Sequence, residues 1–318
     1  MTFARKQGVF GIVVSLMLAG CGSSSSSSDE GISADTPVDT GTTSYSTSDV
    51  ECAYSYSAFN SSPSVNTTST ADWFCDASAR WLSANGIPDH EVGTFPNAAK
   101  PNTISEHTVS ASFTLTPAET TTATELGGPR GAVGFILNGV KMDPGTGGAC
   151  NDAGDSCDLG NGTGAWRIEA LGQDSFDFGE DSNNAHVQPT GEYHYHGIPE
   201  GFVAKLNKGT EMTLIGWAAD GFPIYARYGY VEPMDASSGT TVVLGSYQLQ
   251  SSPDANRPDV SLYPMGTFAQ DYEYVAGYGD LDECNGRTGV TPEFPQGIYH
   301  YYATDSYPFM QRCVKGSQ

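Results

Sequence analysis

The chain has 318 residues, of which 37 are acidic and 14 are basic, so its formal net charge is −23 at pH 7. Such an acidic surface repels nucleic acid and anionic lipid, and so few lysines and arginines cannot form a basic patch, which excludes nucleic-acid binding. The 38 glycines and 18 prolines favour a loop-rich β fold over a helical one.

The first twenty residues are typical of an export signal. Arg5 and Lys6 supply positive charge, and residues 8–18 form an apolar stretch that is too short to cross a bilayer. The junction Leu18-Ala19-Gly20-Cys21 resembles the lipobox of bacterial lipoproteins, in which the cysteine is lipidated and becomes N-terminal after cleavage. The alternative is an ordinary signal peptide followed by an accidental cysteine.

The resemblance to lipoproteins implies a membrane anchor at Cys21. Several acyl chains, palmitate among them, hold a protein firmly where a single chain does not. Gly22 follows the cysteine, so the aspartate that retains proteobacterial lipoproteins at the inner membrane is absent, and we expect an outer-membrane or cell-surface location. Residues 21–50 lack the apolar content to pack and predict a flexible tether. Residues 51–318 are predicted to form a single domain in the periplasm or outside the cell.

Six cysteines remain beyond Cys21, and an even number in an exported chain predicts three disulfides. Metal ligation by cysteine is the competing interpretation, but the sequence contains no C-x-x-C spacing. Pairing neighbours in sequence is one of several connectivities that remain open. It joins Cys52–Cys75, Cys150–Cys157 and Cys284–Cys313.

One helix is predicted from Thr70, which can cap it, to Asn85-Gly86, which can end it. Apolar residues recur between them at three- and four-residue spacing. The other signals predict strands at residues 108–116, 132–137, 213–218 and 240–249, separated by turn residues. The predicted fold class is therefore mainly β: a β-sandwich or a barrel-like assembly of antiparallel sheets with one or two helices, cross-linked by disulfides.

Two of the six histidines lie in the glycine-flanked segment 191–201. Tyrosine and histidine alternate there, which predicts a short strand with His194 and His196 on one face and Tyr193 and Tyr195 on the other. Two imidazoles on one face can converge on one metal ion. His186 can contribute a third ligand from the preceding loop.

The stretch Tyr193-His194-Tyr195-His196 is the tetrapeptide after which the bacterial YHYH-domain proteins are named, and the chain resembles this family. The resemblance covers roughly residues 85–310. It implies an exported, histidine-bearing domain without implying a particular reaction. The further stretches that carry it are residues 85–90 and 94–97, 135–140 with Asp143-Pro144, 220–225, 280–287 and 291–301.

The donors His186, His194 and His196 suit a copper or a zinc ion, and the Irving–Williams order favours copper. Zinc would leave an open fourth position and make catalysis feasible. A fully hydrogen-bonded structural cluster and a site for an organic ligand are the alternatives. His300, in a tyrosine-rich run, is the candidate for the fourth ligand, together with an unassigned carboxylate.

Three weaker candidate sites follow from the sequence. His90 lies in a predicted turn and is a second-rank metal ligand. Asp220 is most simply a turn residue, although a carboxylate there can also orient a liganding imidazole. A calcium site is predicted at a hard-oxygen cluster that is similar to the opening of calcium-binding EGF modules, without their cysteine pattern. Its residues are Asp280, Asp282 and Glu283.

The preferred interpretation is a cell-envelope lipoprotein that binds copper, rather than zinc, through a histidine cluster, for sequestration or for a redox or hydrolytic step. The alternative is an extracellular module that binds glycans or another surface partner. Its 17 tyrosines and four tryptophans would then line a groove, and the histidines would be structural. Motifs of serine hydrolases, zincins and nucleotide-binding enzymes are absent from the sequence.

Overall fold

A four-stranded antiparallel sheet opens the part of the chain that the computed structural model describes, residues 52–126 and 131–317. The predicted signal, the lipobox cysteine and the tether lie outside the described residues. The sheet has the order β1-β2-β3-β4, so each strand pairs with its neighbour in sequence. Its strands are β1 (Ala53–Asn60), β2 (Thr67–Cys75), β3 (Ala79–Ala84) and β4 (Val109–Thr114).

The helix predicted between residues 70 and 86 is wrong, because β2 and β3 occupy this segment. Trp73 pairs directly with Leu82 across the two strands. Buried and exposed side chains alternate along β2, which is the two-residue period of a strand. The turn between the strands is stabilised by Asp76, whose carboxylate accepts hydrogen bonds from the backbone and hydroxyl of Ser78. The helix-like spacing of apolar residues therefore arises because two consecutive strands each contribute some of them.

The remaining strands are mostly short and are connected by turns. In chain order they are β5 (Glu119–Glu125), β6 (Gly134–Ile136), β7 (Lys141–Met142), β8 (Ala149–Cys150), β9 (Cys157–Asp158), β10 (Trp166–Arg167), β11 (Ala185–Val187), β12 (Tyr193–Tyr195), β13 (Thr213–Ala218), β14 (Pro223–Ala226), β15 (Tyr228–Tyr230), β16 (Thr240–Val242), β17 (Tyr247–Leu249), β18 (Tyr272–Tyr274), β19 (Gly286–Gly289), β20 (Ile298–Ala303) and β21 (Cys313–Gly316).

Eight of these strands form a central sheet in the order β11-β12-β7-β6-β13-β14-β20-β19. Its neighbouring strands are antiparallel except for the pairs β12–β7 and β14–β20, which are parallel. The other strands form small sheets: β10-β8-β9 and the pairs β15–β16, β17–β18 and β21–β5. The mainly β fold class is confirmed.

Three of the four predicted strands are confirmed, and the fourth is two separate strands. β4 and β6 lie within the predicted ranges 108–116 and 132–137, and β13 has the predicted bounds. The range 240–249 is divided between β16 and β17, which belong to different sheets. Gly245 lies between them, where a Cβ atom would be 2.6 Å from the carbonyl oxygen of Tyr307. Another chain segment therefore passes close to the backbone at the point where the two strands separate.

The described residues contain one α-helix, α1 (Glu200–Leu206), which follows β12. It buries Phe202 and Leu206 and ends at Asn207, whose left-handed backbone (φ 50°) allows its N–H to bond the carbonyl of Ala204. No helix in the described ranges combines the length and apolar character that a bilayer crossing requires.

The four-stranded sheet packs on the central sheet, as in a sandwich. Trp73 is fully buried between them and donates its indole N–H to the carbonyl oxygen of Leu137 at 2.9 Å. Gly139 makes the close approach feasible, because a Cβ atom there would overlap the side chain of Ala84. Buried side chains from both sheets form one continuous apolar core, and the described residues belong to one compact unit.

Three disulfides join the cysteines that are neighbours in the sequence: Cys52–Cys75, Cys150–Cys157 and Cys284–Cys313. The first connects the start of β1 to the end of β2, and the third connects the loop before β19 to β21. Each such bond stabilises a folded domain by roughly 2–4 kcal/mol.

Candidate metal centre

Two neighbouring strands at one edge of the central sheet carry the candidate metal centre. β11 pairs antiparallel with β12, and the register sets His186 directly opposite His194. His186 is therefore in a strand and not in the loop that the sequence suggested. His196 extends the pairing, since its backbone N–H donates to the carbonyl of Asn184 at 2.7 Å. Directly opposed residues, and residues two apart in a strand, share a face, so all three imidazoles project from the same side.

The three imidazole rings are close enough to ligate one ion. Their ring centroids lie 4.6–4.7 Å apart, and one ligand nitrogen from each ring lies within 4.8 Å of the others. The Nε2 atoms of His186 and His196 are 3.2 Å apart. Two nitrogens bound to one tetrahedral ion at about 2.0–2.1 Å would be about 3.3 Å apart. One edge of the triad therefore already has the spacing of a metal site.

All three imidazoles are buried, with exposed fractions of 5% for His186, 2% for His194 and 1% for His196. Burial disfavours the charged imidazolium and lowers the pKa of His186 to about 3, and it lowers the pKa of the other two well below the usual value. The carbonyls of Phe178 and Pro144 act in the opposite direction and are outweighed. The neutral imidazoles that result are the form that binds metal ions.

Four buried polar atoms in this region have no partner in hydrogen-bonding geometry among the described residues. They are Nδ1 of His186, Nδ1 of His196, Oε1 of Glu180 and Oδ1 of Asp143. A buried polar atom without a partner costs roughly 1–3 kcal/mol. These atoms leave room in the triad for an additional polar partner, which a metal ion would supply.

Asp143 lies beside the triad, although the sequence analysis did not single it out as a site residue. β7 runs parallel to β12 with Lys141 beside His194. Asp143 comes two residues after Lys141, so it lies beside His196 and on the same face. Its Oδ2 accepts a hydrogen bond from Gln188 at 3.3 Å, and burial raises its pKa to about 6. The Asp-Pro dipeptide within the family-like stretch was the available signal.

Glu180 is the second carboxylate that the sequence analysis missed. Its Oε1 lies 3.5 Å from Nδ1 of His186, and burial raises its pKa to about 7. Glu180 belongs to an irregular loop before β11, so no periodic pattern points to it. A further acid of this region, Glu192, pairs with Lys141 at 2.9 Å, and its carbonyl oxygen lies 3.4 Å from Nδ1 of His194.

His90 lies on the opposite face of β12, with the tyrosines. The hydroxyl of Tyr195 is 2.6 Å from Nε2 of His90 and accepts a hydrogen bond from Asn138 at 2.9 Å. The hydroxyl of Tyr193 donates to Asp181 at 2.8 Å. The tyrosine face is thus a hydrogen-bonded part of the core, and His90 belongs to it and not to the triad.

His300 and Asp220 are not brought to the triad. His300 lies in β20, which four strands separate from β12. Its ring nitrogens face the carbonyl of Ile298 at 2.9 Å and the hydroxyl of Tyr302 at 3.0 Å. Asp220 lies in the turn between β13 and β14 and accepts a hydrogen bond from the hydroxyl of Tyr301 at 2.6 Å. Its carboxylate therefore orients a tyrosine and a turn instead of an imidazole.

The three acidic side chains of the predicted calcium cluster form hydrogen bonds or ion pairs with other groups of the protein. Asp280 accepts a hydrogen bond from the backbone of Leu244 at 2.8 Å, and Glu283 pairs with Lys315 at 2.7 Å. Asp282 accepts hydrogen bonds from two backbone N–H groups and a tyrosine hydroxyl. Within the described part of the chain, the histidine triad is the one group of three or more His, Cys, Asp or Glu side chains close enough to hold an ion.

Much of the aromatic content that the glycan-binding alternative uses is buried. Five of the 17 tyrosines are among the largest fully buried side chains. They are Tyr193, Tyr195, Tyr225, Tyr301 and Tyr302. These rings pack the core and are not available to stack on a sugar.

Fold and site together define a mainly β, disulfide-linked domain with a buried histidine triad that can hold a metal ion. The chain belongs to the YHYH protein family, whose model matches residues 110–316. The match includes all three histidines of the triad, whereas the stretches at residues 85–90 and 94–97 precede it. No curated protein and no solved structure matches the chain.

Proposed function

We propose that the protein binds one transition-metal ion through His186, His194 and His196. The observation that carries the proposal is the convergence of three buried imidazoles whose ligand atoms lie within 4.8 Å of one another. In the absence of an ion, several buried polar atoms of this region do not meet full hydrogen-bond geometry with any described residue. A bound metal would use the inward nitrogens and polarise the outward N–H groups toward the surrounding acceptors.

Copper is the proposed ion. Three neutral imidazoles suit both copper and zinc, and the Irving–Williams order gives copper the higher affinity for such a site. The proposed fourth ligand is the carboxylate of Asp143, which is buried and follows β7 on the triad's face. Its oxygens lie outside the group of ligand atoms within 4.8 Å of one another, so this side chain would have to move toward the ion on binding. With Asp143 as the fourth ligand, the buried ion would have no open coordination position, which favours sequestration over a redox or hydrolytic step.

The proposed location is the outer membrane or cell surface, with the protein anchored by lipid at Cys21. The lipobox-like junction supports the anchor, and the three disulfides support an exported protein, since disulfides persist in oxidising compartments. A metal site held away from the cytoplasm would then bind copper as it reaches the cell envelope.

Elemental analysis tests the proposed function. The full chain is purified in detergent without added metal, loaded with Cu²⁺ or Zn²⁺ and desalted. We expect about one equivalent of retained ion, as a single three-histidine site implies. The double variant His194→Ala/His196→Ala should retain none, whereas the control His107→Ala, which removes a histidine outside the triad, should match the wild type. Full stoichiometry in the double variant would contradict the assignment.

A further inference from the structure

We propose that Glu180 is the outer carboxylate of the metal centre, which orients His186 by accepting a hydrogen bond from its Nδ1. The proposal rests on the metal-binding function above. Oε1 of Glu180 and Nδ1 of His186 face each other at 3.5 Å. Both atoms are buried, and neither meets strict hydrogen-bond geometry with another group, although the backbone carbonyl of Phe178 also interacts with the His186 imidazole. Glu180 is the charged side chain that faces this Nδ1.

The orientation of the His186 ring supports this role. Its Nε2 faces Nε2 of His196 at 3.2 Å, so Nδ1 points away from the triad and toward Glu180. Metal-bound histidines commonly donate their second N–H to a carboxylate or a carbonyl, which fixes the tautomer and the ring plane. A displacement of a few tenths of an ångström would bring the pair into the usual N–H···O range of about 2.7–3.2 Å.

The three imidazoles differ in the groups that surround the ring nitrogens pointing away from the triad. Nδ1 of His194 faces the backbone carbonyl of Glu192 at 3.4 Å, and His196 interacts with the backbone carbonyl of Pro144. Among the described residues, Glu180 is the one charged side chain that forms a close pair with an imidazole of the triad. Its charge would therefore strengthen one ligand, His186, more than the other two.

The loop that carries Glu180 is held on both sides. Before it, the carbonyl of Gly179 accepts a hydrogen bond from the side chain of Asn97 at 3.2 Å. After it, the backbone N–H of Asp181 donates to the carbonyl of Ala185 at 2.8 Å, at the start of β11. Because these bonds restrain both neighbours, the carboxylate is placed against His186 by the fold, as a positioning residue requires.

The test compares the Zn²⁺ affinities of full-chain variants by competition with a chromophoric chelator. Glu180→Gln keeps the size and one acceptor oxygen but removes the charge, and should weaken binding about 10- to 100-fold. Glu180→Asp keeps the charge on a shorter side chain and should lose less. The matched control is Glu192→Gln, which removes the same charge near the triad from a side chain that pairs with Lys141. It should change the affinity by less than about threefold.

A second readout separates positioning from a general effect on folding. In the Zn²⁺-loaded wild type, the imidazole Nδ1 proton of His186 should give an NMR signal that shifts in Glu180→Gln and stays in place in Glu192→Gln. Equal Zn²⁺ affinity in wild type and Glu180→Gln, or equal losses in Glu180→Gln and Glu192→Gln, would overturn the role of Glu180 while leaving the metal site intact. A wild-type protein that binds no ion would instead overturn the proposed function itself.

Discussion

Nε2 of His186 lies 3.2 Å from Nε2 of His196 in the protein interior. The two residues come from different segments, and the antiparallel pairing of β11 with β12 brings them together with His194. Two neutral imidazoles at this distance can share one proton or one ion. The additional ring of His194, which brings a third ligand nitrogen within 4.8 Å of the other two, favours the ion.

Metal binding should stabilise the folded protein. Because the site exists only when β11 and β12 are paired, an ion binds the native state and not the unfolded chain. At a free metal concentration 100 times the Kd, the free energy of unfolding should rise by about 2.7 kcal/mol. Denaturation with excess metal or with chelator measures the difference. The variant His194→Ala/His196→Ala should show no metal-dependent change, and an equal gain in that variant would point to binding elsewhere.

Replacement of Asp143 by asparagine should open the coordination sphere. Asp143→Asn should lower Cu²⁺ affinity at least about tenfold if the carboxylate is a ligand, by analogy with the loss of other metal-site residues. Pulsed electron paramagnetic resonance in D₂O detects exchangeable water on the ion. We expect no bound water in the wild type and one in the variant.

The control for this change is Asp158→Asn, which alters an exposed carboxylate whose Oδ1 accepts hydrogen bonds from Gly160 and Asn161. It should leave Cu²⁺ affinity and the spectrum unchanged. Bound water in the wild-type protein would show that the fourth position is open, and the sequestration role would then lose its main support.

His300 should make stability depend on pH. Burial lowers its pKa to about 4, so the unfolded chain takes up a proton near pH 6.5 while the folded protein does not. The contribution is fully present above the unfolded pKa and is lost as the pH falls from about 6.5 to 4, by at most about 3 kcal/mol. Urea denaturation with chelator present, at several pH values, should show a smaller loss for His300→Gln than for wild type. Equal losses would refute this role.

Replacement of Gly139 by alanine should destabilise the folded protein. Its φ is +80°, and a Cβ atom would overlap Ala84 at the contact between the two sheets. Backbone strain of about 1–2 kcal/mol and a packing clash of about 1–3 kcal/mol should add in Gly139→Ala. Gly209 (φ +61°) has nothing within 4 Å, so Gly209→Ala reports the strain alone. Chemical denaturation of both variants measures the difference, and equal losses would show that the sheets do not need this close approach.

Features that depend on local sequence could be predicted. A β-prone run between turn residues placed β13 at its observed bounds, and the alternation of tyrosine and histidine put His194 and His196 on one face. The short sequence separation of the cysteines matched the observed disulfides. Local spacing wrongly predicted a helix around Trp73 and Leu82. Two strands joined by a short turn can place apolar residues at helical spacing.

Features that depend on distant contacts could not be predicted. The parallel pairing of β7 with β12 places Asp143 next to His196 in register, and the packing of an irregular loop places Glu180 against His186. Neither relationship has a periodic signature in the sequence. His300 was expected near the triad because its sequence echoes that of β12, yet strand order in the central sheet places it far from β12.

X-ray absorption spectroscopy of the copper-loaded full chain tests the central claim most directly, because it counts the ligand atoms around the ion. The triad predicts three imidazole nitrogens at about 2.0 Å, the usual metal–imidazole distance, and no sulfur. The three-imidazole signature should disappear in His194→Ala/His196→Ala. A sulfur ligand, or fewer than two imidazoles around a stoichiometric ion, would contradict the proposed site.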